Sequence, residues 1–194
     1  MLFKVNYDIL YYIGDTHFGD KRVMELADRP YSSIQEMDND IVRKWNLRVR
    51  ENDTVYVLGD FAFDDISAQV IDKLCGRKIL IIGNHDEVFS AETLRKFVCV
   101  KTIETISDCN RSVCLCHYPL LSYKNSVYGG YHVFGHIHNN KNDKAYYLQS
   151  QLSNSFNCSA DVVGFTPRTL NELIVFKKEG IISVSYTHLT LPTK

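Results

Sequence analysis

Five apolar runs in this chain each end in one or more residues able to bind a metal ion. Tyr7 to Ile13 runs into Gly14-Asp15-Thr16-His17, Thr54 to Leu58 into Gly59-Asp60, and Lys78 to Ile82 into Gly83-Asn84-His85-Asp86. Ser112 to Cys116 meets His117, and Tyr131 to Phe134 meets Gly135-His136-Ile137-His138. Runs this short and this rich in β-branched and aromatic residues read as buried strands. Ligands placed where buried strands emerge, with hard carboxylates beside borderline imidazoles, are what a hydrolytic metal centre requires.

The segments between these runs carry the helices. Ile34, Met37, Ile41, Trp45 and Val49 recur at spacings of three or four, which predicts an amphipathic helix over Ser33 to Arg50. Ser33 followed by Glu36 forms a capping box at its start. A second helix fits Ile66 to Leu74, stopped by Gly76, and a third fits Ala91 to Phe97. Tyr118 to Gly130 and Asn139 to Asn154 are polar or glycine-containing and read as loops or short hairpins beside the site. Asn157 to Val163 and Ile181 to Tyr186 read as strands, and Pro167 takes a first-turn position before a helix over Leu170 to Phe176. Helices come early and strands late, which argues for two sheets rather than one doubly wound sheet.

A chain of 194 residues is most simply one domain, able to bury about 70% of its unfolded surface. Lysine and arginine number 22 against 23 acidic residues, so charge gives no signature of a nucleic-acid or membrane partner. Arg43, Lys44, Arg48 and Arg50 cluster on the first long helix; a solvated helix face is the plainer reading and a basic binding face the other. No apolar run is long enough to span a membrane, and the opening stretch, broken by Lys4, Asn6 and Asp8, lacks the order of a signal peptide. Six cysteines without a Cys-x-x-Cys pair suit a reducing cytoplasm, with Cys114 and Cys116 as small buried hydrophobes on a strand. Thr187 to Lys194 follow a finished strand and read as an assembly scar resembling translated adaptor sequence. The domain is therefore placed at residues 1–186 and His188 is kept out of the site.

Asp15 and His17 are separated by one residue, as are His136 and His138, so an extended backbone turns each pair to one side. Either pair alone reads as a core histidine with a hydrogen-bonded neighbour. Five such elements at five strand ends favour a metal site. In their order, Gly14-Asp15-Thr16-His17, Gly59-Asp60, Gly83-Asn84-His85-Asp86, His117 and Gly135-His136-Ile137-His138 resemble the calcineurin-like metallophosphoesterases, over residues 7–186. The resemblance implies a four-layer α/β/β/α sandwich with two mainly mixed β-sheets and a two-metal centre at one edge. It implies that Asp15, His17 and His138 hold one metal, that Asn84, His117 and His136 hold the other, and that Asp60 bridges them.

A bridging carboxylate can set two cations about 3.5–4 Å apart, the spacing used in two-metal hydrolysis. Neutral imidazoles and the Asn84 carboxamide leave the cations' excess charge uncancelled, so the site attracts phosphate although the chain is slightly acidic. A metal-bridging hydroxide would attack phosphorus in line with the leaving oxygen, with no covalent intermediate. The resemblance points His85 at the substrate, as proton donor to the leaving oxygen or as a cationic stabiliser of it. Asp86 would orient the His85 ring, a turn-capping carboxylate being its other reading. The mixed donor set accepts Mn, Fe, Co, Ni or Zn, with Mn the expected ion.

Two departures from the family pattern stand out: Asp20, where short members with this opening often carry His, and Cys158, where an aliphatic residue is more usual in Asn157-Cys158-Ser159-Ala160-Asp161. His132 reads as a core or edge histidine. Tyr118, Tyr123, Tyr128 and Tyr131 lie near ligands and either stack on a base or sugar or simply pack. The expectation is a cytoplasmic metal-dependent phosphoric ester hydrolase acting on small phosphoesters, mono- or diesters, without a membrane partner. A catalytically weak metal-binding scaffold of the same fold is one alternative; a nuclease, which would need a positive groove, is another.

Overall fold

Strands β1 (Leu10–Ile13), β2 (Thr54–Val57), β3 (Arg77–Ile81) and β4 (Cys99–Lys101) form a four-stranded sheet in that order, parallel throughout. A second four-stranded sheet has the order β5 (Ile103–Asp108), β6 (Arg111–Cys116), β7 (Tyr131–Phe134) and β8 (Ser155–Asn157). Only its β5–β6 hairpin is antiparallel. The structure is a computed structural model, and it describes residues 8–178. The strand expected over Ile181 to Tyr186, the tail from Thr187 and His188 lie outside the described residues.

The two-sheet α/β sandwich agrees with the expectation, except that one sheet is wholly parallel instead of mixed. Val55, Val57, Leu58, Leu80, Ile81, Val113, Leu115 and Val133 are completely buried and join one apolar core. Helix α2 (Ile34–Arg48) lays Met37, Ile41 and Trp45 against that core, and the Trp45 indole donates to the Cys75 carbonyl at 2.9 Å. Its N-terminus differs in detail from a capping box. Ser33 Oγ accepts from the Glu36 amide, but the Glu36 carboxylate accepts from the amide of Ser32, one residue early.

Other elements depart from the sequence reading for local reasons. The second helix is a tight 3-10 turn over Ser67–Lys73, and helix α3 (Ala91–Leu94) is only one turn long. Helix α4 (Lys144–Gln151) occupies a segment read as loop; its one buried residue is Gln149, so it has no apolar stripe to announce it. Asp143 starts it by accepting from the Ala145 amide. Strand β8 begins earlier than expected and gives way to turns, where the Val162 and Val163 amides return to the Ser159 carbonyl. Helix α5 (Leu170–Lys178) starts from a reciprocal box in which Thr169 Oγ1 accepts from the Glu172 amide and Glu172 accepts from the Thr169 amide. Pro167 stands ahead of that box, because Arg168 is engaged in backbone pairing with Tyr12.

The sheets are joined beside the site. Past the end of β1, the Gly14 amide donates to the Cys158 carbonyl at 2.9 Å, and the Ala160 amide donates to the Gly14 carbonyl at 2.8 Å. This parallel bridge sets the C-terminal end of β1 beside that of β8. The exits of β1, β2, β3, β6 and β7 therefore converge, which is where open α/β sheets bind ligands.

Candidate metal centre

Five of the candidate ligands sit in the left-handed backbone region that L-residues rarely adopt: Asp15 (φ 52°), His17 (50°), Asp60 (53°), His136 (71°) and His138 (49°). Such strain persists only where surrounding structure over-determines it. Here the loops are laced together beyond their strands. The Asp15 amide donates to the Gly59 carbonyl, the His17 amide to the Asp60 carbonyl, and the Gly135 amide to the His117 carbonyl, all at 2.9–3.0 Å. Glycine is needed at Gly83 and Gly135 for close approach: an added Cβ would meet Asp60 Oδ1 at 2.3 Å at the first and Asp15 Oδ2 at 2.3 Å at the second.

The donor atoms fall into two groups, Asp15 with His17 and His138, and Asp60 with His117 and His136, each within 4.8 Å. His138 Nε2 lies 3.8 Å from Asp15 Oδ1. The two groups meet at one atom: Asp60 Oδ2 is 3.7 Å from His17 Nε2 and 3.5 Å from His117 Nε2. Asn84 Oδ1 and His136 Nδ1 each approach His117 Nε2 to 3.2 Å, so Asn84 joins the second group. All seven expected ligands are thus brought together. His117 Nδ1 is 2.7 Å from the Leu58 carbonyl; donating there leaves its Nε2 lone pair facing the group.

The donor set fits divalent cations. Both ring nitrogens of His17 are buried without a hydrogen-bond partner among the described residues, a cost that coordination would remove. Asp15, His17, Asp60 and His117 are buried, whereas Asn84 and His136 are exposed. The centre therefore opens to solvent on the Asn84–His136 side.

His85 stands beside the groups without belonging to either. Its ring lies edge-on to that of His17 with centroids 5.1 Å apart, and its amide donates to Asp60 Oδ1 at 2.9 Å. Asp86 takes up the second of its two expected roles, that of a turn-capping carboxylate. Its two carboxylate oxygens accept from the amides of Asp60, Phe61 and Gly83, all at 2.8 Å. No hydrogen bond joins it to the His85 ring among the described residues, so it acts as a turn capper that fixes the Asp60 loop. Burial pushes its pKa up to about 6 although the amides oppose this.

Several other side chains find their places here. Asp20 caps helix α1 (Lys21–Leu26) through the Arg22 amide, and its other oxygen lies 3.7 Å from His17 Nδ1. Contact with His17 and Arg22 holds it well below the usual carboxylate range. Of the four tyrosines, Tyr118 alone touches ligand rings, 5.0 Å from His117 and 4.7 Å from His136. Tyr123 and Tyr131 pack on His132 and Phe156. His132 is buried, with Nδ1 against the Cys114 carbonyl and Nε2 accepting from the Leu120 amide, so both nitrogens are used away from the centre. Arg43 and Lys44 pair with Asp40, and Arg48 pairs with Glu172, which makes that helix a solvated face with compensated charge.

Two residues that sequence reasoning missed stand behind the ligands. Asp161 accepts from His138 Nδ1, 3.1 Å from each of its oxygens. Arg29 donates to Asp161 at 2.7 Å and to the carbonyls of Asp15 and Thr16 at 2.6 and 2.8 Å. Neither stands at the end of an apolar run. The only available signal was the position of Asp161 in the Asn157-to-Asp161 segment.

Two sheets converge their strand exits on paired carboxylate and histidine groups, the arrangement of the metallophosphoesterase sandwich. The chain belongs to the calcineurin-like phosphoesterase family, whose model matches residues 10–192. An uncharacterised protein of Methanocaldococcus jannaschii, MJ1445, is 29% identical over 175 residues, covering 88% of this chain and 92% of its own. The gene 66 protein of Mycobacterium phage L5 is 35% identical over 81 residues, 39% of either chain. The crystal structure of AQ665 from Aquifex aeolicus, a protein of unknown function, has a TM-score of 0.69 at 22% identity over 86% of this chain and 97% of its own. That likeness shows the fold. No helix among the described residues is long and apolar enough to cross a membrane.

Proposed function

We propose that the protein is a dinuclear metal-dependent phosphoesterase that hydrolyses small phosphomonoesters or phosphodiesters by direct attack of water. One observation carries this reading: a single carboxylate oxygen of Asp60 faces His17 in one group and His117 in the other. When bound, two divalent ions would act as Lewis acids on the phosphoryl oxygens and acidify coordinated water. Asp15, His17 and His138 would hold one ion, Asn84, His117 and His136 the other, with Asp60 shared. A set that mixes carboxylate, carboxamide and imidazole donors accepts Mn, Fe, Co, Ni or Zn, and Mn is our choice among them.

The remaining chemistry falls to the protein's own groups. As water adds to phosphorus and the ester P–O bond breaks, the leaving oxygen needs a proton. His85, beside His17 and outside both ligand groups, supplies it or stabilises the developing charge. Asp86 holds the Asp60 turn in place through three amides. The complete ligand set together with His85 favours an enzyme over a binding scaffold.

Six free cysteines suit a reducing compartment, and we place the protein in the cytoplasm. The domain boundary at Tyr186 and the reading of Thr187 to Lys194 as a scar belong to the same proposal; truncation after Tyr186 should leave melting temperature and turnover unchanged. The function is tested by assaying metal-reconstituted protein against aryl phosphomonoesters, aryl phosphodiesters, cyclic nucleotides and oligonucleotides. Turnover of at least one ester class is expected. No turnover with any of the five metals would favour the scaffold.

A further inference from the structure

Behind the Asp15 group lies a buried ion pair, its Arg29 guanidinium packed over the Phe165 ring and against the Met37 sulfur. The Arg29 side chain is completely buried and that of Asp161 is 3% exposed, with 2.7 Å between them. A buried ion pair generally stabilises a fold no better than apolar residues would, so its partners show what it does. Arg29 reaches two successive carbonyls, Asp15 and Thr16, in the loop where Asp15 and His17 adopt left-handed backbone. Asp161 accepts a hydrogen bond from His138 Nδ1–H, leaving Nε2 to face Asp15. The pair thereby joins a ligand from the end of β1 to a ligand from the end of β7. A carboxylate behind a ligating imidazole fixes its tautomer and orientation and raises its basicity.

The other group is supported differently. His117 Nδ1 is backed by a neutral carbonyl, Leu58, and His136 lies exposed at the mouth of the centre. The Arg29–Asp161 pair touches neither residue. Resting on the two-metal reading above, we propose that Asp161 and Arg29 are positioning residues that hold Asp15, His17 and His138 as one preformed site for a divalent cation. Their loss weakens that site and spares the site of Asp60, His117 and His136.

The test is D161N, which keeps shape and an acceptor oxygen but removes the charge. Metal-free wild type and variant are titrated with Mn²⁺ by calorimetry, and the melting temperature of each metal-free protein is recorded. Wild type should bind two equivalents. D161N should retain one equivalent with unchanged affinity and bind the other about 10- to 100-fold more weakly, in line with losses at such outer partners. Unchanged affinity for both equivalents, with only a lower metal-free melting temperature, would make the pair merely structural and overturn the proposal. Equal weakening of both equivalents would overturn its site selectivity. Wild type binding fewer than two equivalents would instead refute the two-metal reading itself, before any variant is considered. Should D161N fail to fold, imidazole ¹⁵N spectra of Mg²⁺-loaded wild type decide: His138 protonated at Nδ1 supports the proposal, and protonation at Nε2 overturns it.

Discussion

At the residue scale, His85 and Asp86 show how far neighbours in sequence can differ in task. His85 stands edge-on to the His17 ring, while Asp86 is buried under three amides of the adjoining loops. H85A should keep the metal content of the wild type and lower turnover by about 10²-fold or more, the scale of general-acid catalysis. Metal analysis after desalting, with rates on an ester of poor leaving group, checks both parts; unchanged turnover would remove His85 from the chemistry. The seven candidate ligands were legible because they follow apolar runs, and strand exits are where such residues gather. Asp161 and Arg29 were not, because their partners lie 23 and 132 residues away along the chain and no local pattern marks them.

At the scale of elements, apolar stripes were easier to read than caps. The stripe of Met37, Ile41 and Trp45 announced α2, whereas α4 depends on the Asp143 cap and offers no stripe. Helix α5 was legible, but its true start is the Thr169–Glu172 box and not Pro167. T169A should therefore cost about 1 kcal/mol of stability, the usual value of an N-cap side chain, read by urea unfolding. α2 also supplies Asp38, whose two oxygens accept from the Gly19 amide at 3.2 Å. Burial pushes its pKa up to about 6. A carboxyl raised in the folded state favours folding while protonated, so its contribution is complete below its ordinary value of 3.8 and is lost as pH rises through about 6. D38N should remove that part of the decline in stability between pH 4 and 6, seen as a shallower plot of melting temperature against pH.

At the scale of the molecule, two sheets were foreseeable from the early helices and late strands. Their joining was not. The Gly14–Ser159 bridge and the 2.8 Å hydrogen bond from Tyr12 to Asp108 connect segments far apart in sequence, through backbone groups and one buried hydroxyl that carry no periodic signal. Those contacts bring the exits of both sheets to one edge, and Asp60 then lies between two ligand groups. That shared carboxylate is the centre of the account. Its most direct test is to add Mn²⁺ stepwise to metal-free protein while following hydrolysis of whichever aryl phosphoester the substrate panel identifies. The account predicts little turnover up to one equivalent per chain and a rise to the plateau between one and two equivalents. Full turnover at a single equivalent would contradict it.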